Sequence, residues 1–135
     1  NRKFPLPEYR NTAYFYYGRL DLGKMRAAAE AFLGEHDFAG FCSAGAQVQS
    51  TVRTIYSLEI LETDEEGKIQ IRVQGNGFLY NMVRIIVGTL LEVGKGIALP
   101  DDIGRVIASC DRAQAGPTAP AKGLRLLRIE YLNTF

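Results

Sequence analysis

The spacing of apolar positions changes along this chain, and each change marks an element. Val52, Thr54, Tyr56, Leu58 and Ile60 alternate with Arg53, Ile55, Ser57 and Glu59, and Ile69, Ile71 and Val73 alternate with Gln70, Arg72 and Gln74. A period of two is that of half-buried strands. Thr63-Asp64-Glu65-Glu66-Gly67 between them has the residues of a hairpin turn. Earlier, Leu22, Met25, Ala29, Phe32 and Leu33 fall on one side of a helix that Asp21 can cap and Gly34 can stop. A nearly continuous apolar stretch from about Phe78 to Val93 predicts a long buried helix, opened by the turn Gly75-Asn76-Gly77. Pro100, Asp101 and Asp102 suit the first turn of another helix, which points Ile103, Val106 and Ile107 inward.

The remaining segments complete the order. Residues 1–11 carry Pro5 and Pro7 and read as extended. Thr12 to Tyr17 is rich in aromatics and predicts a strand. Residues 35–50 read as irregular, residues 113–123 as a loop, and Leu124 to Leu132 as a closing strand. Strand, helix, two strands, two helices and strand predict an α+β domain: a mostly antiparallel sheet with helices packed on one face. There is no repeat or interdomain linker, so residues 1–135 read as one domain.

Composition narrows the function classes. With 135 residues, 47% of them hydrophobic, the chain can bury a core of its own. A net charge of +1 gives no global attraction to nucleic acid, so any basic surface must be local. His36 is the only histidine, and Cys42 and Cys110 are the only cysteines. This argues against a disulfide framework, a zinc site or a histidine-rich centre, and suits a reducing cytoplasm. The apolar run from Phe78 to Val87 is broken by Asn81 and Arg84 and is too short to span a bilayer. No stretch reads as a signal peptide. Asn1-Arg2-Lys3-Phe4-Pro5 reads as a start inside a longer protein.

Arg84 is the one cation in the middle of the apolar helix. At 3.6 residues per turn, Asn81, Arg84, Gly88, Glu92 and Lys95 form a single stripe. Tyr80, Asn81, Val87 and Gly88 lie at helical contact spacing from Arg84, and none is an acid. Glu92 is about 12 Å away along the axis. Gly88 leaves room beside the arginine for another chain segment or a ligand. A buried guanidinium is costly without a partner. It can snorkel to solvent or pair with an acid elsewhere in the domain, Asp37 and Asp111 being the local candidates. Alternatively, its planar fork orients a catalytic carboxylate or contacts phosphate.

Other candidates are weaker. Gly75-Asn76-Gly77 could cradle phosphate but lacks the further glycine and lysine of a nucleotide loop, so a tight strand-to-helix turn fits better. Arg53, Arg72, Gln70 and Gln74, with Tyr14 or Tyr16, could form an RNA-facing sheet surface or an ordinary solvated face. Lys122 lies on a Pro- and Ala-rich loop of a kind that often serves binding. Cys42, flanked by apolar residues, reads as a structural thiol. His36 beside Asp37 reads as a pair or, more commonly, as part of a turn.

Several of these segments together resemble the TruA-type tRNA pseudouridine synthases. The resemblance is carried by Gly75–Gly94 with its Phe-Leu-Tyr-Asn-Met-Val-Arg core, by Asp37–Cys42, by Thr51-Val52-Arg53-Thr54-Ile55, and by Ala115–Leu124 with Ala-Pro-Ala-Lys-Gly-Leu, all in the family's order. It implies isomerisation of uridine to pseudouridine in the anticodon arm of tRNA, without cofactor or metal, by a homodimeric enzyme. The family's catalytic aspartate lies in an Arg-x-Asp-x-Gly motif of the N-terminal half. Arg19-Leu20-Asp21-Leu22-Gly23 mimics that motif, but at the wrong place relative to the others and at a helix start. The resemblance therefore implies a C-terminal half that completes the active-site cleft and is inactive alone. By position, Arg84 matches the arginine that pairs with the catalytic aspartate, and Leu124 an apolar residue near the target base. Arg53, Arg112 and Lys122 are candidates for RNA contact. A stand-alone RNA-binding module or an assembly domain would be the alternative readings.

Overall fold

Asp21 opens the first helix. Its carboxylate accepts the Lys24 N–H at 3.1 Å, and α1 runs from Leu22 to Glu30 with Met25, Ala28 and Ala29 turned inward. In this computed structural model, which describes residues 1, 13, 14, 16, 18–45 and 47–124, α1 is followed by β1 (Gly34–Asp37), a 3-10 turn at Ala39–Phe41, β2 (Val52–Glu62) and β3 (Ile69–Gly75). The long helix α2 (Met82–Gly94) comes next, then a 3-10 turn at Pro100–Asp102, α3 (Ile103–Ser109), and further 3-10 turns at Arg112–Gln114 and Ala121–Gly123. The three strands form one antiparallel sheet in the order β1-β2-β3. With the helices this is the α+β architecture that the pattern predicts.

The core lies between the helices and one face of the sheet. Met25, Phe32, Phe38, Phe41, Ile55, Met82, Ile85, Ile86, Leu90, Val93 and Ile103 are fully buried there. Phe41 sits edge-on to both Phe32 (centroids 5.3 Å apart) and Phe38 (6.1 Å). Helix α2 contains many β-branched residues, which cost up to about 0.7 kcal/mol each in helix propensity. Burying one such side chain contributes roughly 1.5–3 kcal/mol. Packing, not propensity, therefore holds α2.

Three features depart from the sequence pattern. First, residues 34–37, within a stretch that reads as irregular from residue 35, form β1, paired to β2 with His36 opposite Arg53. Among the described residues it is an edge strand, mostly polar and exposed, so it carries no apolar alternation. Second, the pairing register shifts between Ile55 and Ser57. This bulge inverts the inside–outside phase, burying Ile55 at 1% exposure with Leu58 and Ile60 and leaving Tyr56 at 62%. The regular alternation wrongly puts Ile55 on the polar face. Third, α2 begins at Met82 rather than Phe78, because Asn81 takes the left-handed conformation at φ 60°, ψ 10°. Similarly, α1 ends at Glu30, three residues before the expected Leu33. Half of the strand expected over Thr12–Tyr17, and nearly all of that over Leu124–Leu132, lie outside the described residues; the described Ala13, Tyr14 and Tyr16 are in no strand.

Candidate functional site

Arg84 projects from the first turn of α2, where a loop crosses the helix. Ala119 in that loop donates its N–H to the Arg84 carbonyl at 3.0 Å, and Arg84 Nε donates to the Ala119 carbonyl at 2.7 Å. Arg84 Nη1 donates to Asn81 Oδ1 at 3.0 Å. Asn81 Nδ2 in turn donates to Ser43 Oγ at 3.0 Å, while the Ser43 N–H donates to the Tyr80 carbonyl at 3.0 Å. The guanidinium is half-buried. Its partners are neutral oxygens, and among the described residues it forms no ion pair; the pairs seen there join Arg26 to Glu62 and Arg105 to Asp102. Of the five N–H groups an arginine carries, two are used in these bonds.

Neither acid that sequence reasoning offered as a substitute partner reaches Arg84. Asp37 accepts the Ala39 N–H at 3.0 Å and the Thr51 hydroxyl at 2.6 Å. Asp111 accepts the Ala113 N–H at 3.0 Å and caps the 3-10 turn there. Each carboxylate organises its own loop.

The space expected beside Gly88 is filled by a chain segment. A β-carbon on Gly88 would stand 1.7 Å from the Pro117 carbonyl oxygen, and one on Gly116 would stand 2.7 Å from Thr89 Cα. Only glycine at both positions lets the two backbones meet. Thr89, almost fully buried, accepts the Gly116 N–H at 2.9 Å and donates to the Ile85 carbonyl at 2.8 Å. Arg112 braces the loop from outside, donating to the Gly116 carbonyl at 2.8 Å and to the Thr118 hydroxyl at 3.2 Å. Beyond this clamp the loop presents Lys122 and Leu124, both exposed, Leu124 at 53%.

The structure thus seats Arg84 against the loop that Arg112 braces and that runs on to Lys122 and Leu124. Arg53 belongs to a different place. Its Nη1 donates to the Ser50 and Val52 carbonyls at 2.8 and 2.7 Å, and its side chain lies near Gly77 in the turn that leads to α2. Asn76 shapes that turn, its Oδ1 accepting the Thr54 N–H at 2.8 Å. Phe78 and Tyr80 point outward on either side of buried Leu79. Sequence reasoning placed Asn81 on the stripe beside Arg84 without giving it a role, and gave none to Ser43, Thr89 or Ala119. Asn81 had a signal, three residues before an arginine on the same face; the others make contacts with no local periodicity.

The remaining chemistry-bearing groups are structural or solitary. His36 Nε2 lies 2.8 Å from the Leu33 carbonyl, with its ring edge-on to Phe38. Cys42 and Cys110 are free thiols. The Cys110 thiol is pushed above its ordinary pKa by loss of hydration and by the charge and hydrogen bonding of Asp37. Among the described residues no set of His, Cys, Asp or Glu side chains is placed to hold a metal ion. No helix there is long and apolar enough to cross a membrane.

The family profile described as tRNA pseudouridine synthase matches residues 28–132, a range that takes in the whole helix–loop assembly. The chain belongs to the tRNA pseudouridine synthase family. Its curated relatives include tRNA pseudouridine synthase A of Listeria innocua, 49% identical over 126 residues, which are 93% of this chain and 50% of the relative. The tRNA pseudouridine synthase A of Brevibacillus brevis is 50% identical over 112 residues, 83% of this chain and 45% of the relative. That of Bacillus pumilus is 50% identical over 124 residues, 92% and 49% respectively. The chain spans about half the length of the tRNA pseudouridine synthases that it matches.

Proposed function

We propose that this chain supplies the C-terminal half of the active-site cleft of an enzyme that isomerises uridine to pseudouridine in the anticodon arm of tRNA. The observation that supports it is the state of Arg84. A half-buried guanidinium is fixed by two neutral oxygens, meets no acid among the described residues, and keeps three of its five N–H groups for a further partner. A carboxylate is the partner such a fork suits best, through a charge-assisted and geometrically specific contact.

In this reading the catalytic aspartate comes from the other half of the enzyme, and Arg84 keeps it ionised and oriented. The aspartate attacks the ribose or the base, the uracil detaches, turns and rejoins through carbon, and no atom is added or lost overall. The target nucleotide must leave its stack to be reached. Leu124, exposed at the end of the clamped loop, packs on the displaced base. Lys122 and Arg53 contact RNA phosphates, while Arg112 serves binding through the loop that it braces. The enzyme works in the cytoplasm as a homodimer, with no cofactor or metal; this part rests on the family resemblance alone.

The test is a tRNA transcript incubated with the purified chain, alone and together with an N-terminal half carrying the Arg-x-Asp-x-Gly motif. Pseudouridine should form only in the second case. Formation by the chain alone would overturn the proposed division of the active site.

A further inference from the structure

We infer that Asn81 is a positioning residue for this reaction, setting the plane of the Arg84 guanidinium without discharging it. The inference rests on the proposed role of Arg84. Asn81 stands at the N-cap of α2, where a side chain ordinarily accepts a free N–H of the first turn. Asn81 makes no such bond. Its backbone is left-handed at φ 60°, a conformation few side chains tolerate and asparagine tolerates better than most. The amide is used instead at both ends, Oδ1 on Arg84 Nη1 and Nδ2 on Ser43 Oγ, each at 3.0 Å. Arginine only donates, so the amide oxygen must face Arg84 and the amide nitrogen Ser43.

Together with the Ala119 carbonyl on Nε, this contact holds the fork at two separate nitrogens, which fixes its plane. Both acceptors are uncharged. An aspartate at position 81 would have nearly the same shape and tolerate the same backbone, but it would pair with the guanidinium and compete with the catalytic carboxylate. A neutral acceptor holds the arginine and leaves its charge for the partner. Shape alone would rank Asn81→Asp as the mildest substitution; charge retention ranks it among the worst.

The experiment uses the full-length enzyme, with Asn81→Gly, Asn81→Asp, Ser43→Ala and Arg84→Ala compared for thermal stability, tRNA affinity, and kcat and KM of pseudouridine formation. Glycine accepts φ 60° freely, so Asn81→Gly should stay folded and bind tRNA normally while kcat falls roughly tenfold or more, in line with the sensitivity of catalysis to small misplacements. Asn81→Asp should lose at least as much kcat, and Ser43→Ala should show a smaller loss of the same kind. If Arg84→Ala is inactive while Asn81→Gly or Asn81→Asp turns over like the unmodified enzyme, the inference is overturned and the Arg84 reading stands. A fall in kcat accompanied by loss of the fold or of tRNA affinity would also overturn it, by assigning Asn81 to structure or binding. Full activity of Arg84→Ala would remove the Arg84 reading itself.

Discussion

Arg84 and Ala119 grip each other at two points, through main chain and side chain. The Ala119 N–H donates to the Arg84 carbonyl at 3.0 Å, and Arg84 Nε donates back to the Ala119 carbonyl at 2.7 Å. One residue thus anchors the loop and bears the free guanidinium edge. A loop displaced from α2 would also release the arginine, so stability and function should be coupled at this seam.

Gly88→Ala tests the close approach. A β-carbon 1.7 Å from the Pro117 oxygen forces backbone apart, and overpacking of this kind typically costs about 1–3 kcal/mol. Gly104 in α3 has nothing within 4 Å of its would-be β-carbon, so Gly104→Ala should stabilise by about 0.5–1 kcal/mol through helix propensity. Denaturant titration of the two variants should therefore give opposite signs. Equal effects would mean that the loop does not rest on Gly88.

Thr89→Val keeps the shape of the buried side chain but removes the acceptor of the Gly116 N–H. Leaving that N–H unpaired should cost about 1–3 kcal/mol, whereas Thr89→Ser, which keeps the hydroxyl, should lose mainly methyl packing. Hydrogen exchange of the Gly116 amide should quicken in Thr89→Val and stay slow in Thr89→Ser.

The sequence pattern carried the long helix, the hairpin and the stripe that isolates Arg84, because each rests on local periodicity. It missed β1, whose residues Gly34-Glu35-His36-Asp37 are polar and lie at an edge of the described sheet. It misjudged Ile55 because a single extra residue at the bulge inverts the phase of a strand. The empty space at Gly88 could be read from the stripe, but not that Pro117 fills it. The partners of Arg84 split in the same way: Asn81 is three residues away on the chain, Ala119 thirty-five.

Cys110 should alkylate slowly for an exposed thiol. Its pKa is raised, by loss of hydration first and then by Asp37, so less thiolate is present at any given pH. Asp37→Asn removes the charge and should shift the pH–rate curve for iodoacetamide toward lower pH. An unmoved curve would take Asp37 out of the account.

Arg53 and Lys122 should act through charge. In the full-length enzyme, Arg53→Ala and Lys122→Ala should each flatten the slope of log affinity for tRNA against log salt by about one. Arg112→Ala should instead lower the melting temperature, because its guanidinium braces Gly116 and Thr118. If Arg112→Ala flattens the slope and leaves stability unchanged, the assignment of brace and contact is reversed.

The most direct measurement is single-turnover pseudouridine formation by the full-length enzyme carrying Arg84→Ala or Arg84→Lys, with tRNA affinity measured in parallel. Arg84→Ala should lower the rate by roughly a hundredfold or more, the scale on which single preorganised electrostatic contacts act. Arg84→Lys should recover little, since it keeps the charge and loses the fork; both variants should still bind tRNA. A near-normal rate in Arg84→Ala would contradict the account.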